Sequence, residues 1–148
     1  MIEVQEPLST LEWNEYYKIR WEILRKPLGL KEGSERDDLE DKAIHRIIKL
    51  DGQIVGVGRL HFNEERTAQI RYMAVVKNFR GKEFGKLIVS EFIKISEQNN
   101  ISKIILYARE SVVGFYEKLG FDIVEKAHRL EKVQHFLMER KNELYISL

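Results

Sequence analysis

The hydrophobic pattern at the start of the chain predicts a short strand followed by a helix. Ile2-Glu3-Val4 predicts the strand, and Ser9-Thr10-Leu11-Glu12 forms a capping-box pattern in which Ser9 accepts from the backbone while Glu12 reaches back. The predicted helix ends at Pro27 and carries aromatic and apolar residues at roughly helical spacing, namely Trp13, Tyr17, Trp21 and Leu24. The polar, acidic stretch from Gly29 to Asp41 predicts a loop.

The pattern then changes to that of an antiparallel meander. Ile44–Leu50 and Ile54–Phe62 predict two strands, and Asp51-Gly52 between them predicts a tight hairpin because both turn positions tolerate positive φ. A second turn over residues 63–67 leads into a third predicted strand, Ala68–Val75.

The second half of the chain alternates helices with short strands. From Phe84 onward, apolar residues fall at i, i+3, i+4, i+8 and i+11, which marks one face of a helix closed by Asn99-Asn100. Lys103–Ala108 predicts a strand parallel to its neighbour, because a helix connects them. A short helix ending at Gly120 and two strands, Phe121–Val124 and Gln134–Glu139, complete a β-α-β-β-β-α-β-α-β-β order. This order predicts an α/β fold with a mixed sheet.

Length and composition narrow the class of protein. The 148 residues suit a single domain over 1–148, with 43% hydrophobic and 33% charged residues. A net charge of +1 argues against a dedicated nucleic-acid binder. The chain has no cysteine, which excludes disulfides and a cysteine nucleophile and fits a cytoplasmic protein. No membrane span or signal peptide is expected, and the four scattered histidines predict no metal site.

A basic, glycine-containing segment precedes the long helix. Arg80-Gly81-Lys82-Glu83-Phe84-Gly85-Lys86 opens that helix, and the free N–H groups and dipole of a helix N-terminus favour a phosphate. A P-loop is excluded because only three residues separate the glycines, and the dinucleotide fingerprint fails because Gly56-Val57-Gly58 lacks its third glycine. On these residues alone, the segment is either a phosphate site or a solvated loop.

Two further segments lie at characteristic distances from this loop. Arg71-Tyr72-Met73-Ala74-Val75 precedes it, and Phe115-Tyr116-Glu117-Lys118-Leu119-Gly120-Phe121 follows about 30 residues later. Taken together with residues 80–85, these segments resemble the GCN5-related N-acetyltransferase (GNAT) family, whose loop pattern is Arg/Gln-x-x-Gly-x-Gly/Ala. The resemblance covers roughly residues 43–140. It implies a GNAT-like acyl-CoA acyltransferase fold, a mixed but mostly antiparallel twisted sheet with flanking helices.

The resemblance also implies a cofactor site for acetyl-CoA as cosubstrate. Backbone groups of Met73, Ala74 and Val75 are expected to hydrogen-bond the pantetheine arm, and residues Arg80 through Lys86 to hold the pyrophosphate. Arg109 stands near the family's cofactor-contacting asparagine. Glu83 departs from the pattern, since it replaces the first motif glycine. Its carboxylate is expected to repel the pyrophosphate unless it points to solvent or pairs with Lys82 or Lys86.

Two residues are the candidates for catalysis. Tyr116 matches the family tyrosine proposed as general acid toward the CoA thiolate. A free tyrosine, with a pKa of about 10, is a weaker acid than a thiol at about 8.5. We therefore expect hydrogen bonding to the thiolate to matter at least as much as proton transfer. The alternative for Tyr116 is an aromatic residue packed on the sheet. His135, ahead of Phe136-Leu137-Met138, is the candidate base or else a histidine that satisfies a backbone group.

Other polar residues have either a candidate role at the site or an expected place on the surface. His61 is a less favoured base, and Arg71 either orients substrate or lies on the strand surface. His45 and His128 are expected at the surface. The acidic run from Glu35 to Asp41 lies where GNAT enzymes often build their acceptor pocket, but a solvated loop is favoured.

The sequence thus predicts an N-acetyltransferase that moves an acetyl group from acetyl-CoA to a primary amine of a small molecule or a protein by direct attack. The alternative is a non-catalytic acyl-CoA-binding regulatory module. Neither nucleic acid nor membrane is expected as a partner. The apolar tail, residues 144–148, is expected to extend the last strand or to pack against a second subunit in a homodimer.

Overall fold

The computed structural model describes residues 1–143 and contains seven strands and three α-helices in that range. In chain order these are β1 (Ile2–Gln5), α1 (Thr10–Leu24), β2 (Ile44–Leu50), β3 (Gln53–Phe62), β4 (Thr67–Val75), α2 (Phe84–Gln98), β5 (Lys103–Arg109), α3 (Val113–Glu117), β6 (Asp122–Leu130) and β7 (Val133–Lys141). Short 3-10 turns lie at Lys26–Leu28, Glu40–Lys42, Lys77–Phe79 and Glu110–Val112. The predicted order of strands and helices is confirmed.

The strands follow the order β1-β2-β3-β4-β5-β7-β6 in a seven-stranded sheet. The pairs β1–β2, β2–β3, β5–β7 and β6–β7 are antiparallel, whereas β4 and β5 are parallel, as the intervening helix predicts. The mixed, mostly antiparallel sheet with flanking helices is therefore confirmed. No helix within residues 1–143 is both long and apolar enough to cross a membrane.

Internal contacts divide the chain into two compact units. The first unit comprises Met1–His61 and Arg71–Glu91, and the second comprises Phe62–Ile70 and the chain from Phe92 onward. The expectation of one domain over 1–148 stays a prediction. So does the homodimer, because the tail at 144–148 on which it rests lies outside the described residues.

The first unit is built where α1 packs on β2 and β3. Ser9 caps α1 by accepting from the Glu12 N–H at 3.1 Å, while the Glu12 carboxylate accepts from the Leu8 N–H at 2.8 Å. The buried core cluster consists of Tyr16, Ile19, Ile47, Ile54, Val57 and Ala74. Asp51 and Gly52 both have positive φ, 50° and 87°, which confirms the predicted hairpin turn.

The second unit is built on β5, which pairs with β7 along its whole length. Buried Ile104, Leu106 and Ala108 alternate along β5 with less buried positions, so one face of this strand is covered. The prediction for β6 was too short. It continues to Leu130 rather than stopping at Val124, because backbone pairing to β7 holds its polar, exposed residues in an extended conformation.

Candidate functional site

The loop before α2 presents free backbone donors in the first unit. Gly81 has a φ of 78°, α2 begins at Phe84, and its first turn is closed by Leu87 N–H donating to the Glu83 carbonyl at 3.2 Å. Within the part of the chain that the structure describes, no acceptor is found for the amide N–H groups of residues 81–86. Because such groups and the helix dipole favour an anion, the segment can bind a phosphate group.

Glu83 adopts the conformation of the glycine it replaces. Its φ is 65°, in the left-handed region that glycine enters readily and other residues enter at a cost of about 1–2 kcal/mol. The side chain is exposed, and it makes no ion pair among the described residues. The backbone path of the loop is therefore kept, with strain stored at Glu83. Of the two expected outcomes for the carboxylate, it points to solvent and does not pair with a lysine.

The basic side chains around the loop differ in what they contact. Arg80 folds back and donates from Nε to the Val75 carbonyl at 2.9 Å, which ties the loop to the end of β4. Lys77, Lys82 and Lys86 are exposed, and Lys82 Nζ lies 5.8 Å from the centre of the Phe79 ring. These lysines form no ion pair among the described residues, so they can supply positive charge to a bound anion.

The end of β4 leads directly into this loop. The backbone pairing between β4 and β5 covers three residue pairs and ends at Gln69, before Met73, Ala74 and Val75. Tyr72 interrupts regular strand geometry with a φ of 58°. Backbone strain of this kind in a bulky residue persists where the surroundings impose it, and it is common at functional sites.

Tyr116, the candidate acid, lies on α3 in the second unit. Its ring is 7% exposed and packs edge-on against Phe115 and Phe121, with centroids 4.9 and 5.7 Å away. No hydrogen bond to its hydroxyl is found among residues 1–143, and burial raises its pKa. A raised pKa makes the hydroxyl a poorer proton donor toward a thiolate, so the side chain is better suited to donating a hydrogen bond.

His135, the candidate base, lies on β7, where its backbone position pairs with Arg109 of β5. Its Nδ1 donates to the Val133 carbonyl at 3.0 Å, so in the neutral ring Nε2 carries the lone pair. The ring is mostly buried and stacks on His128 at 4.7 Å. Burial lowers the pKa of His135, and the neighbouring His128 and Arg109 lower it further, whereas the bond to Val133 opposes them. His135 is therefore neutral at pH 7.

The predicted site residues thus fall into two groups. Met73 to Val75 and Arg80 to Lys86 lie in the first unit, whereas Arg109, Tyr116 and His135 lie in the second. Across the described ranges, no cluster of three or more histidine or carboxylate side chains could hold a metal ion.

Comparison with known proteins decides the family. A model of the acetyltransferase (GNAT) family matches residues 11–121. The chain belongs to the GNAT family. It is 27% identical over 143 residues to the uncharacterized protein YyaT of Bacillus subtilis, covering 95% of this chain and 96% of that one. Membership supports an acyltransferase enzyme.

Solved GNAT structures share the fold at low sequence identity. A putative N-acetyltransferase from Lactobacillus plantarum superposes with a TM-score of 0.84 at 13% identity, covering 96% of this chain and 99% of the other. An aminoglycoside 6′-N-acetyltransferase complexed with coenzyme A gives a TM-score of 0.82 at 13% identity, covering 99% of both chains.

This GNAT chain also buries a network of charges that the sequence did not predict. Arg20 of α1 and Arg59 of β3 are fully buried, and both donate to the Glu40 carboxylate, at 2.9 and 2.7 Å. Arg59 also forms a bidentate pair with Asp37, at 2.6 and 3.0 Å. The expectation of a solvated acidic loop is wrong for Glu35, which is buried, and for Glu40, which is 11% exposed, whereas Asp38 and Asp41 are exposed as expected. Arg59 is a charged residue within the mostly apolar strand β3, and this pattern in the sequence indicates a buried carboxylate partner.

His45 corrects a second expectation. It was expected at the surface but is 4% exposed, with Nδ1 sharing a 2.7 Å hydrogen bond with the Tyr16 hydroxyl and Nε2 lying 2.8 Å from the Glu40 carbonyl. Burial lowers the pKa of His45, which favours the neutral ring. His61 is likewise buried and lies 3.2 Å from Arg59. His128 is exposed, as expected.

Proposed function

We propose that the chain is an acetyl-CoA-dependent N-acetyltransferase that acts on a primary amine of a small molecule or a protein. The observation that carries the proposal is the set of free N–H groups at residues 81–86, next to Lys82 and Lys86, in a chain of the GNAT family. This arrangement fits the pyrophosphate of coenzyme A through donors, dipole and charge.

The end of β4 provides the second part of the cofactor site in this proposal. Backbone groups of Met73 and Ala74 lie beyond the residues of β4 that pair with β5, and they can pair with the amide groups of the pantetheine arm. The Val75 carbonyl already accepts from Arg80, so Arg80 acts by fixing the loop on the strand end. Arg80 is thus assigned a positioning role, and the free N–H groups of the loop a binding role.

The reaction requires a neutral amine. The amine nitrogen attacks the thioester carbonyl carbon that acetyl-CoA supplies, the carbon–sulfur bond breaks, and the thiolate leaves while the amine loses a proton. A lysine-like amine with a pKa of about 10.4 is almost wholly protonated at pH 7, a handicap of about three powers of ten. Among the described residues, a neutral His135 with a free Nε2 lone pair is suited to accept that proton.

The negative charges that develop on the carbonyl oxygen and on the leaving sulfur need hydrogen-bond donors. A backbone N–H of Met73 to Val75 would donate to the oxyanion, and the Tyr116 hydroxyl would donate a hydrogen bond to the leaving thiolate. Because burial raises the pKa of Tyr116, full proton transfer from it to a thiolate is uphill. The thiolate is then protonated by water after release.

The test compares turnover of the wild type with that of two tyrosine variants. We expect free coenzyme A to accumulate only when a suitable amine is present, and Tyr116→Phe to lose about 10- to 100-fold in kcat, as for removal of a hydrogen-bond donor at a charged leaving group. Tyr107→Phe is the matched control, because Tyr107 is half-exposed and lies on β5 of the same unit. Full activity of Tyr116→Phe would remove Tyr116 from the mechanism.

The regulatory alternative makes a different prediction in the same assay. A non-catalytic module would bind acetyl-CoA at equilibrium without consuming it across a broad amine panel. That result, obtained with correctly folded protein, would contradict the enzymatic proposal and leave the cofactor site standing.

A further inference from the structure

Charges in the network of the first unit are layered from the interior to the surface. Glu40 lies between the fully buried Arg20 and Arg59 and accepts from both. Arg59 donates two hydrogen bonds to Asp37, and Asp37 also accepts one from Nη1 of Arg71 at 2.9 Å. Arg71 is the outermost member, with 44% of its side chain exposed.

The layers leave one positive charge unbalanced. Three guanidinium groups face two carboxylates, Asp37 and Glu40, so this set carries a net charge of +1. The two buried guanidiniums are fully enclosed, and the surplus is therefore accessible only at Arg71. Arg71 is also held in place, because its guanidinium packs over the Tyr72 ring with its centre 4.6 Å from the ring centroid.

Asp37 cannot be the group that attracts the amine. Its two oxygens already accept from Arg59, Arg71 and the Leu39 N–H. Burial raises the pKa of Asp37, but the hydrogen bonds from Arg59 and Leu39 outweigh this and lower the pKa to about 2. The carboxylate is thus saturated with donors, and its role is to orient Arg71.

We infer that the acceptor is an amine that also carries a carboxylate, and that Arg71 binds this carboxylate. The inference rests on the proposed function and names the class of its acceptor. Arg71 lies on β4 two residues before Met73, on the strand whose end the proposal assigns to the pantetheine arm. An amino acid can present its amine at that strand end while its carboxylate contacts Arg71. Arginine suits this task because its planar donor fork matches a carboxylate.

The experiment uses matched acceptor pairs in which only the carboxylate changes. The panel consists of β-alanine, 4-aminobutyrate, 5-aminovalerate, 6-aminohexanoate and Nα-acetyl-lysine, each beside its carboxamide. For the best-fitting chain length we expect the acid to exceed its amide about tenfold in kcat/KM, through KM, as for one charge-assisted contact at a partly exposed site. The preference should shrink as salt is added.

Variants of Arg71 test whether this residue causes the preference for acids over amides. In Arg71→Gln we expect the acid-to-amide ratio of kcat/KM to fall to about one, because KM for the acids rises, and we expect Arg71→Lys to restore part of the ratio. Lys18→Gln is the control, because it also removes one positive charge from the first unit but from an exposed position on α1. A ratio of one in the wild type, or a ratio that survives Arg71→Gln, would overturn the inference while the proposed function stands.

A readout without turnover separates the two proposals. If acetyl-CoA binds but no amine in the panel reacts, the proposed function fails. In that case saturation-transfer NMR of each acid and amide decides the inference. Acids that bind wild type in preference to amides, and lose this preference in Arg71→Gln, would support the carboxylate site. Equal binding of acids and amides would refute it.

Discussion

Glu40 is the residue whose neutralisation should most disturb the fold. Its carboxylate accepts five hydrogen bonds, two from Arg20 and one each from Arg59, Tyr17 and the Asp37 N–H. Glu40→Gln keeps the shape but turns an amide NH₂ toward buried guanidinium donors. Arg20 and Arg59 each already have an Nε without a partner among the described residues, so the site offers no spare acceptor.

The expected loss follows from the burial of both arginines. Removing one partner from a buried ion pair costs about 3–5 kcal/mol, because the remaining charge is left unpaired. For a chain of this length, a loss of that size should lower Tm by about 10–15 °C. The assay is urea unfolding followed by the fluorescence of Trp13 and Trp21, both of which lie on α1.

A surface ion pair serves as the matched control. Glu91→Gln removes the partner of Arg46, which lies 3.0 Å away with both side chains partly exposed. A pair of this kind contributes about 0–1 kcal/mol. If Glu40→Gln and Glu91→Gln lowered the free energy of unfolding equally, the claim that the buried network stabilises the fold would be refuted.

Three further perturbations test other features of the molecule. Glu83→Gly removes the backbone strain at a φ of 65°, so it should raise the free energy of unfolding by about 1 kcal/mol. It also removes a carboxylate from the loop, so calorimetry should show several-fold tighter binding of acetyl-CoA. An unchanged Kd for acetyl-CoA would contradict the repulsion by Glu83. The pKa of Asp37 is about 2 in the folded protein, against a usual 3.8, so the ionised carboxylate stabilises the fold by about 2 kcal/mol. This stabilisation is present above pH 4 and is lost as the pH falls to 2. Asp37→Asn should therefore flatten the pH dependence of the free energy of unfolding between pH 4 and pH 2. Gly120→Ala should destabilise the fold by about 1–2 kcal/mol, because φ is 92° and the new Cβ would lie 3.3 Å from Arg140 Nε. In the control Gly114→Ala, the new Cβ meets no atom within 4 Å, so this variant should be as stable as the wild type or more stable. Equal melting temperatures of the two variants would refute the strain at Gly120.

Local patterns were enough to predict most of the fold. The hairpin at Asp51-Gly52, the helix from Phe84 and the parallel connection between β4 and β5 are all encoded by nearby residues, and all are observed. The extension of β6 to Leu130 could not be found in this way. Its residues are exposed and show no regular alternation, so only the pairing with β7 reveals the strand.

The polar interior could not be predicted from local patterns. Arg20, Glu40 and Arg59 are about 20 residues apart along the chain and meet only after folding. His45 is buried because its two ring nitrogens find partners on α1 and at Glu40, which no periodicity of its own strand indicates. Conversely, the loop at residues 80–86 follows a sequence motif, and the motif predicted a helix start with free N–H groups correctly.

Product analysis with acetyl-CoA tests whether the chain is an N-acetyltransferase. The wild-type chain, acetyl-CoA and the amine panel would be incubated together, and the released thiol and the acetylated amine quantified by mass spectrometry. We expect one N-acetyl product to form for each coenzyme A released. Saturable binding of acetyl-CoA with no acetylated amine, or thiol release without a matching amide, would contradict it.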